Sequence, residues 1–250
     1  MNDNACYVDF CGLEIHYSFT YPETKAFFSD FLGDCTDTAA VNDICVTRKD
    51  IKENRWLFKG DEKSEAIMEF ESLMLATGNE LLLHRRALYH GAALLWKGLA
   101  WIFTAPSGTG KTTQLRHWKV LLNSEAKVIN GDKPLLVMKE DGAILACSSP
   151  WRGKEKHGIR GLCAPLGGII LLEQGDRNVI TRLAAADAVV PLFTEFISCP
   201  ENEEQIRCQA KMLDQILRKL PVWKLVNLGD RESAVLTLLT LKRYLEETNG

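Results

Sequence analysis

The stretch Leu99-Ala100-Trp101-Ile102-Phe103-Thr104-Ala105-Pro106-Ser107-Gly108-Thr109-Gly110-Lys111-Thr112-Thr113 runs from an apolar strand through a Gly-rich turn into a helix pattern that continues to Leu122. Its second half, residues 105–113, is the Walker A pattern, with Ala105 where the first glycine is usual. Gly108 and Gly110 let the backbone turn its N–H groups inward around a phosphate. Lys111 supplies a positive charge to the β and γ phosphates, and Thr112 offers a hydroxyl to a magnesium ion. Pro106, Ser107, Thr109 and Thr113 complete the binding loop, and the helix that follows aims its positive end at the same anion. A strand before and a helix after are the context this motif requires, so nucleotide binding is the first expectation. Ser107 as a nucleophile is set aside, because no base adjoins it in sequence.

Downstream, Lys127-Val128-Ile129-Asn130-Gly131-Asp132-Lys133 leads a short strand to an acid, and Pro134 ends the pairing. A carboxylate at the end of a strand after the phosphate-loop helix is where the metal needs one, so Asp132 is the candidate metal ligand or catalytic acid. The competing reading is a turn aspartate in Asn-Gly-Asp. Upstream, residues 88–96 and 99–104 read as a hairpin hinged at Lys97-Gly98, preceded by a helix from Ser64 to about Leu83, where Ile67, Phe70, Leu73 and Met74 recur at helical spacing. Strands are further expected at residues 13–19, 44–47, 56–58, 135–138, 143–147, 168–172 and 222–227. Helices are expected at residues 24–32, 203–220 and 232–247. Trp118 and Trp223 read as core. The order is mixed α and β, with strands too close together for regular βαβ crossovers. Residues 1–80 form a small N-terminal α/β region and residues 81–250 the core.

The 250 residues carry 30 Lys+Arg and 33 Asp+Glu, a net charge of −3, with 46% hydrophobic residues. That composition excludes disorder, collagen and coiled coil, and the lack of a long basic run argues against nucleic-acid binding. No apolar run approaches the roughly 18–20 residues of a membrane span, and Met1-Asn2-Asp3-Asn4 opens no secretory signal, so a cytoplasmic protein is expected. Cys6, Cys11, Cys35, Cys45, Cys147, Cys163, Cys199 and Cys208 are scattered with no CxxC pair, and eight reduced thiols are expected. Cys6, Cys11 and His16 could in principle hold zinc, though not at finger or ribbon spacing. Arg152, Lys154, Lys156 and Arg160 crowd a Gly-containing segment, either a solvated basic loop or an anion clamp for an acidic substrate, with Arg152 and Lys154 the residues that would touch it.

His90-Gly91, the hairpin, the loop at 107–113 and Asn130-Gly131-Asp132 together resemble the HPr serine kinase/phosphorylase family, and the loop is still closer to that of ATP-dependent phosphoenolpyruvate carboxykinase. Ser149-Pro150-Trp151-Arg152-Gly153-Lys154, residues 165–173 and residues 217–225, with their Leu-Pro-Val-Trp, resemble small stand-alone members. The resemblance covers roughly residues 80–245. It implies a mixed α/β fold: a phosphoenolpyruvate carboxykinase/HPr kinase-like P-loop core with a small N-terminal strand-rich region. It also implies that His90 lies near the transferred phosphate; without it, a hydrogen-bonded structural histidine is an equal reading. The family's acidic pair is reduced here to Asp132, followed by Lys133, and Thr113 stands where true HPr kinases tend to have an acid. Residues 1–80 are too short for the N-terminal domain of a bifunctional HPr kinase, so HPr is not the expected substrate.

The expectation is an ATP- and Mg2+-dependent kinase acting on a hydroxyl of a peptide, protein or small metabolite, with homo-oligomerisation possible. A nucleotide-binding regulatory protein without efficient transfer is the alternative, and carboxykinase activity ranks last because those enzymes are far longer.

Overall fold

Cys11 and Gly12 close the first hairpin, with φ of 57° and 80°, the two left-handed residues that a tight two-residue turn demands. The computed structural model describes residues 5–33, 42–53, 64–106 and 108–249. The hairpin joins β1 (Ala5–Asp9) to β2 (Glu14–Ser18), and α1 (Pro22–Phe28), β3 (Leu32–Gly33), β4 (Asn42–Cys45) and α2 (Arg48–Glu53) follow. These strands form a four-stranded sheet of order β3-β1-β2-β4, with β2 and β4 parallel. In β2, Ile15 and Tyr17 are buried while Glu14, His16 and Ser18 are not, the alternation expected of a one-faced strand. The strand expected at 56–58 lies outside the described residues, as does Cys35.

α3 (Glu65–Leu83) begins at Ser64, whose side chain accepts from the Ile67 amide. The helix ties the small sheet to the rest of the chain. Its buried Glu69 accepts from the amides of Thr20 (2.6 Å) and Tyr21 (3.1 Å) and from the Thr24 hydroxyl (2.5 Å), and Thr77 bonds the Tyr17 hydroxyl at 2.8 Å. Leu73 and Leu81 pack with Phe10, Ile15, Tyr17 and Phe28, in a core that also takes in Leu135, Val137 and Trp151.

The second sheet has nine strands: β5 (Arg86–Leu88), β6 (Ala92–Trp96), β7 (Leu99–Thr104), β8 (Lys127–Asn130), β9 (Leu135–Met138), β10 (Ile144–Cys147), β11 (Cys163–Gln174), β12 (Val179–Arg182) and β13 (Val222–Asn227). Between and after them come α4 (Lys111–Leu122), α5 (Ala185–Phe193), α6 (Glu203–Lys219) and α7 (Arg231–Asn249). β11 is the junction. Its first residues pair antiparallel with β10, its later ones pair parallel with β13, and its other edge pairs parallel with β7. The parallel neighbours β7 and β11 are separated in sequence by α4 and three strands, so they do not form a single βαβ unit. Trp118 on α4 (0% exposed) and Trp223 on β13 (4%) are buried in one core with Trp101 and Phe103 of β7 and Ala234 and Leu241 of α7. No helix among the described residues is long and apolar enough to cross a membrane.

Three expectations are corrected. Residues 88–96 are not one strand: β5 ends at Leu88 and β6 starts at Ala92, on different parts of the sheet. The residues between leave the ladder because their amides are taken elsewhere, Tyr89 by Pro134 O (3.0 Å), His90 by Glu195 O (2.7 Å) and Gly91 by Asp132 O (2.8 Å). Nor are all cysteines free. Cys147 and Cys163 are direct partners across β10 and β11 and form a disulfide. A register that only strand pairing creates brings together two residues sixteen apart in sequence. The Cys6, Cys11 and His16 grouping is not realised either: His16 pairs with Asp43 at 3.2 Å, and Cys11 meets Cys147 and Cys163 instead.

Candidate active site

β7 ends at Thr104, and the chain turns through the Gly-rich loop into α4. Gly108 and Gly110 have φ of 84° and 109°, and Gly110 stands at the N-cap of α4. A side chain at either would be strained by conformation alone, since an added Cβ would meet nothing within 4 Å. Thr109 donates its hydroxyl to Pro106 O at 2.8 Å. The first turn of α4 holds Lys111, Thr112 and Thr113 and no acid, leaving the positive end of the helix uncompensated. Lys111 is nearly buried (8% exposed), its ammonium held by Ala105 O at 2.6 Å and Pro106 O at 3.3 Å. Burial pushes its pKa down, and the charges of Asp132 and Glu195 oppose that shift. Ser107 lies outside the described residues.

Asp132 sits just beyond the end of β8. Buried Asn130 builds the turn that presents it, accepting from the amides of Asp132 (2.9 Å) and Lys133 (2.8 Å) while donating to Ser149. The carboxylate lies between two partners. Lys133 Nζ is 2.6 Å from Oδ2, and His90 Nε2 is 3.7 Å from Oδ1. The other ring nitrogen of His90, Nδ1, is 2.8 Å from the buried carboxylate of Glu195. Asp132, His90 and Glu195 thus form a chain of acid, imidazole and acid. A base oriented by a second group is a recurring acid–base geometry.

The segment from Arg152 to His157 forms one wall. Arg152, Gly153, Lys154, Glu155 and His157 line the same cavity of 410 Å³ as His90, Gly108, Gly110, Lys111, Thr112, Thr113 and Asp132. Gly153, with φ of 75°, passes close to Asp132, where an added Cβ would lie 3.0 Å from that of the aspartate. Glu155 bridges Arg116 on α4 and His157, and the Arg116 guanidinium holds its carboxyl below the ordinary carboxylate range. Arg152 is committed to a partner. Its guanidinium pairs with Asp30 and lies over the Phe31 ring, so it links this wall to the N-terminal region, and Lys154 is left as the candidate anion contact.

The described candidates from the sequence therefore share one cavity, apart from Pro106 and Thr109, which shape the loop. Three contributors escaped it: Glu195, His157 and Lys133 as a partner of Asp132. Glu195 had no signal, being 105 residues from His90. The Asn130 turn held a signal, because an Asx side chain capping the next two amides is readable in Asn-Gly-Asp.

No family model and no curated protein matches the chain. Among solved structures, the Hpr(Ser) kinase/phosphatase from Coxiella burnetii is similar at a TM-score of 0.36 and 9% identity, covering 64% of this chain and 98% of that one. A likeness of that size carries no argument. Function rests on the residues of the site.

Proposed function

We propose that this protein is an ATP- and magnesium-dependent kinase that transfers the γ-phosphoryl group to a hydroxyl of a peptide, a protein or a small metabolite in the cytoplasm. The observation that carries the proposal is the shared cavity: a glycine loop and helix N-terminus with a buried lysine face Asp132, which itself lies against the His90–Glu195 pair. The loop amides, Lys111 and the α4 dipole would bind the triphosphate and hold its charge through the transition state. The Thr112 hydroxyl and the Asp132 carboxylate are an all-oxygen pair, the donor set of a magnesium ion that takes its other ligands from phosphate and water. Such an ion would neutralise charge on the transferred group. Asp132, or His90 held by Glu195, would accept the proton of the acceptor hydroxyl.

A second reading, a nucleotide-binding regulatory protein, is supported by the Lys133 ammonium, which occupies one oxygen of Asp132. Labelled ATP with magnesium and a panel of serine peptides and hydroxylated metabolites separates the two. Transfer supports the kinase, while binding without turnover supports the regulator. Lys111→Ala should weaken Mg-ATP binding by about 1–3 kcal/mol, the scale of one charge-assisted contact. Unchanged affinity would reject both readings.

A further inference from the structure

Outside this cavity, the tip of the first hairpin rests against the start of β11. Cys11 Sγ lies 3.2 Å from Cys147 Sγ and 3.2 Å from Cys163 Sγ. These are the only three potential metal ligands that converge among the described residues, with all three sulfurs within 4.8 Å of one another. We propose that, with the Cys147–Cys163 pair reduced, the three sulfurs form a binding site for one thiophilic d10 cation, Zn2+ or Cu+, that clips the N-terminal hairpin to the core sheet.

The placement of Cys11 favours a metal over thiol–disulfide exchange. A thiolate that attacks a disulfide approaches along the S–S axis, close to one sulfur and far from the other. Cys11 is instead equidistant from both and sits beside the bond. Three donors at the corners of a triangle is how ligands surround one centre. The supports do not depend on the S–S bond. Cys147 and Cys163 are held opposite one another by the β10–β11 ladder. Cys11 is fixed by a turn in which Phe10 N donates to Leu13 O (2.8 Å) and Gly12 N donates to Asp9 Oδ1 (2.6 Å). Around a zinc ion with Zn–S of about 2.3 Å, sulfurs lie about 3.8 Å apart, so Cys11 would retreat by about half an ångström while the Cys147 and Cys163 side chains, no longer bonded, rotate apart from bonding distance to the same spacing.

Charge and access fit as well. Arg86 donates to Phe10 O (2.8 Å) and Cys11 O (2.7 Å), placing a cation beside what would become an anionic thiolate cluster. Cys147 is buried, while Cys11 faces a cavity of 780 Å³ that also exposes Arg86, Met138 and Leu145, a route for the ion and for a fourth ligand such as water. The chemistry balances: a dithiol reductant gives two electrons and two protons to the disulfide and is itself oxidised, and the cation then displaces the thiol protons.

The test uses the whole chain, reduced with excess dithiol, freed of reductant and metal under anaerobic conditions, and titrated with Zn2+ against a chromophoric chelator. A parallel titration with Cu+ tells the two cations apart. One equivalent bound per chain, a higher melting temperature on binding, retention in Cys45→Ser and loss in Cys11→Ser, Cys147→Ser and Cys163→Ser is the expected result. Because the core variants could unfold, the wild-type protein is also alkylated with and without the bound ion. Protection of Cys11, Cys147 and Cys163, with Cys45 still reacting, is expected. Failure of both cations to bind the reduced protein, binding that survives Cys11→Ser, or absence of protection would each overturn the proposal.

Discussion

Replacing Lys133 with methionine removes an ammonium that sits 2.6 Å from Asp132 Oδ2 and leaves an aliphatic chain of similar length. The backbone should stay in place, because the Lys133 amide is anchored by Asn130 Oδ1 (2.8 Å) and Trp151 O (3.1 Å). If Asp132 binds magnesium, the ion must displace the ammonium or share the carboxylate with it, and the pairing energy is subtracted from the affinity. At an effective dielectric of about 20 the bare attraction at this distance is about 6 kcal/mol, most of it offset by desolvation. A charge-assisted hydrogen bond nets about 1.5–3 kcal/mol. With the lysine side chain 15% exposed and the aspartate 30%, solvent screening places the value toward the lower end.

Lys133→Met should therefore tighten magnesium binding to the ATP complex by about 10-fold or more, measured by calorimetric titration of Mg2+ into protein saturated with ATP. If the protein is a kinase held back by Lys133, the transfer rate at limiting magnesium should rise with it. Metal-free ATP affinity, measured in the same variant, tests the opposite role. A lysine that contacts phosphate would make that affinity fall while magnesium binding stayed unchanged. Unchanged or weaker magnesium binding would refute the assignment of Asp132 as a metal ligand in competition with Lys133.

Asp132→Asn should lower phosphoryl transfer by about 10²–10⁴-fold in a steady-state assay while leaving metal-free ATP affinity nearly unchanged; a wild-type rate would move the acid elsewhere, with Glu155 the next residue on the cavity wall. Glu195→Gln should lower kcat by up to about 10²-fold, the effect of an ångström of misplacement in a catalytic group, with KM for ATP little changed and partial recovery in Glu195→Asp. Equal loss in kcat and in melting temperature for both variants would reduce Glu195 to a structural role. Glu155 gives a pH signature: its carboxyl is held below the ordinary carboxylate range by Arg116, so its contribution is present above about pH 4.5 and disappears as pH falls through the depressed value. The melting-temperature difference between wild type and Glu155→Gln should shrink as pH falls below about 4.5; a difference that widens there would contradict the pairing.

What the sequence revealed follows the range of the interactions involved. The loop and α4 were legible because glycine conformation, helix start and preceding strand are local. β11 was read only at residues 168–172 but spans Cys163–Gln174. Pro165 and a register shift between Leu166 and Gly168 interrupt its pattern, while pairing on both edges carries the strand through. β12 was missed because its residues are mostly exposed and lack an apolar face. α5 was missed because Pro191 lies inside it and no side chain caps its start. That omission hid Glu195, which leaves the chain just after α5. The family resemblance singles out His90, which residue type alone leaves evenly balanced with a structural histidine, and the structure shows it hydrogen-bonded to a buried acid.

The candidate side chains are registered to one another through their peptides as well as through their charges. The His90 amide donates to Glu195 O, and the Gly91 amide donates to Asp132 O. His90 O accepts from the Thr104 hydroxyl (2.7 Å) at the end of the strand that feeds the loop. Three segments are thus joined at a single break between β5 and β6, two by main-chain bonds and one through the Thr104 hydroxyl. Exchanging a carboxylate for its amide at Asp132 or Glu195 leaves those bonds intact, so the resulting rate changes report chemistry. Gly91 is different. A Cβ there would lie 2.7 Å from Ile102 Cγ2, closer than real contacts permit, and 3.0 Å from Phe103 O, tighter than most, so the Ile102 side chain and the neighbouring β7 backbone would have to give. The break that brings the acids together therefore needs the absence of a side chain at Gly91, and the placement of His90 rests on that glycine as well as on Glu195.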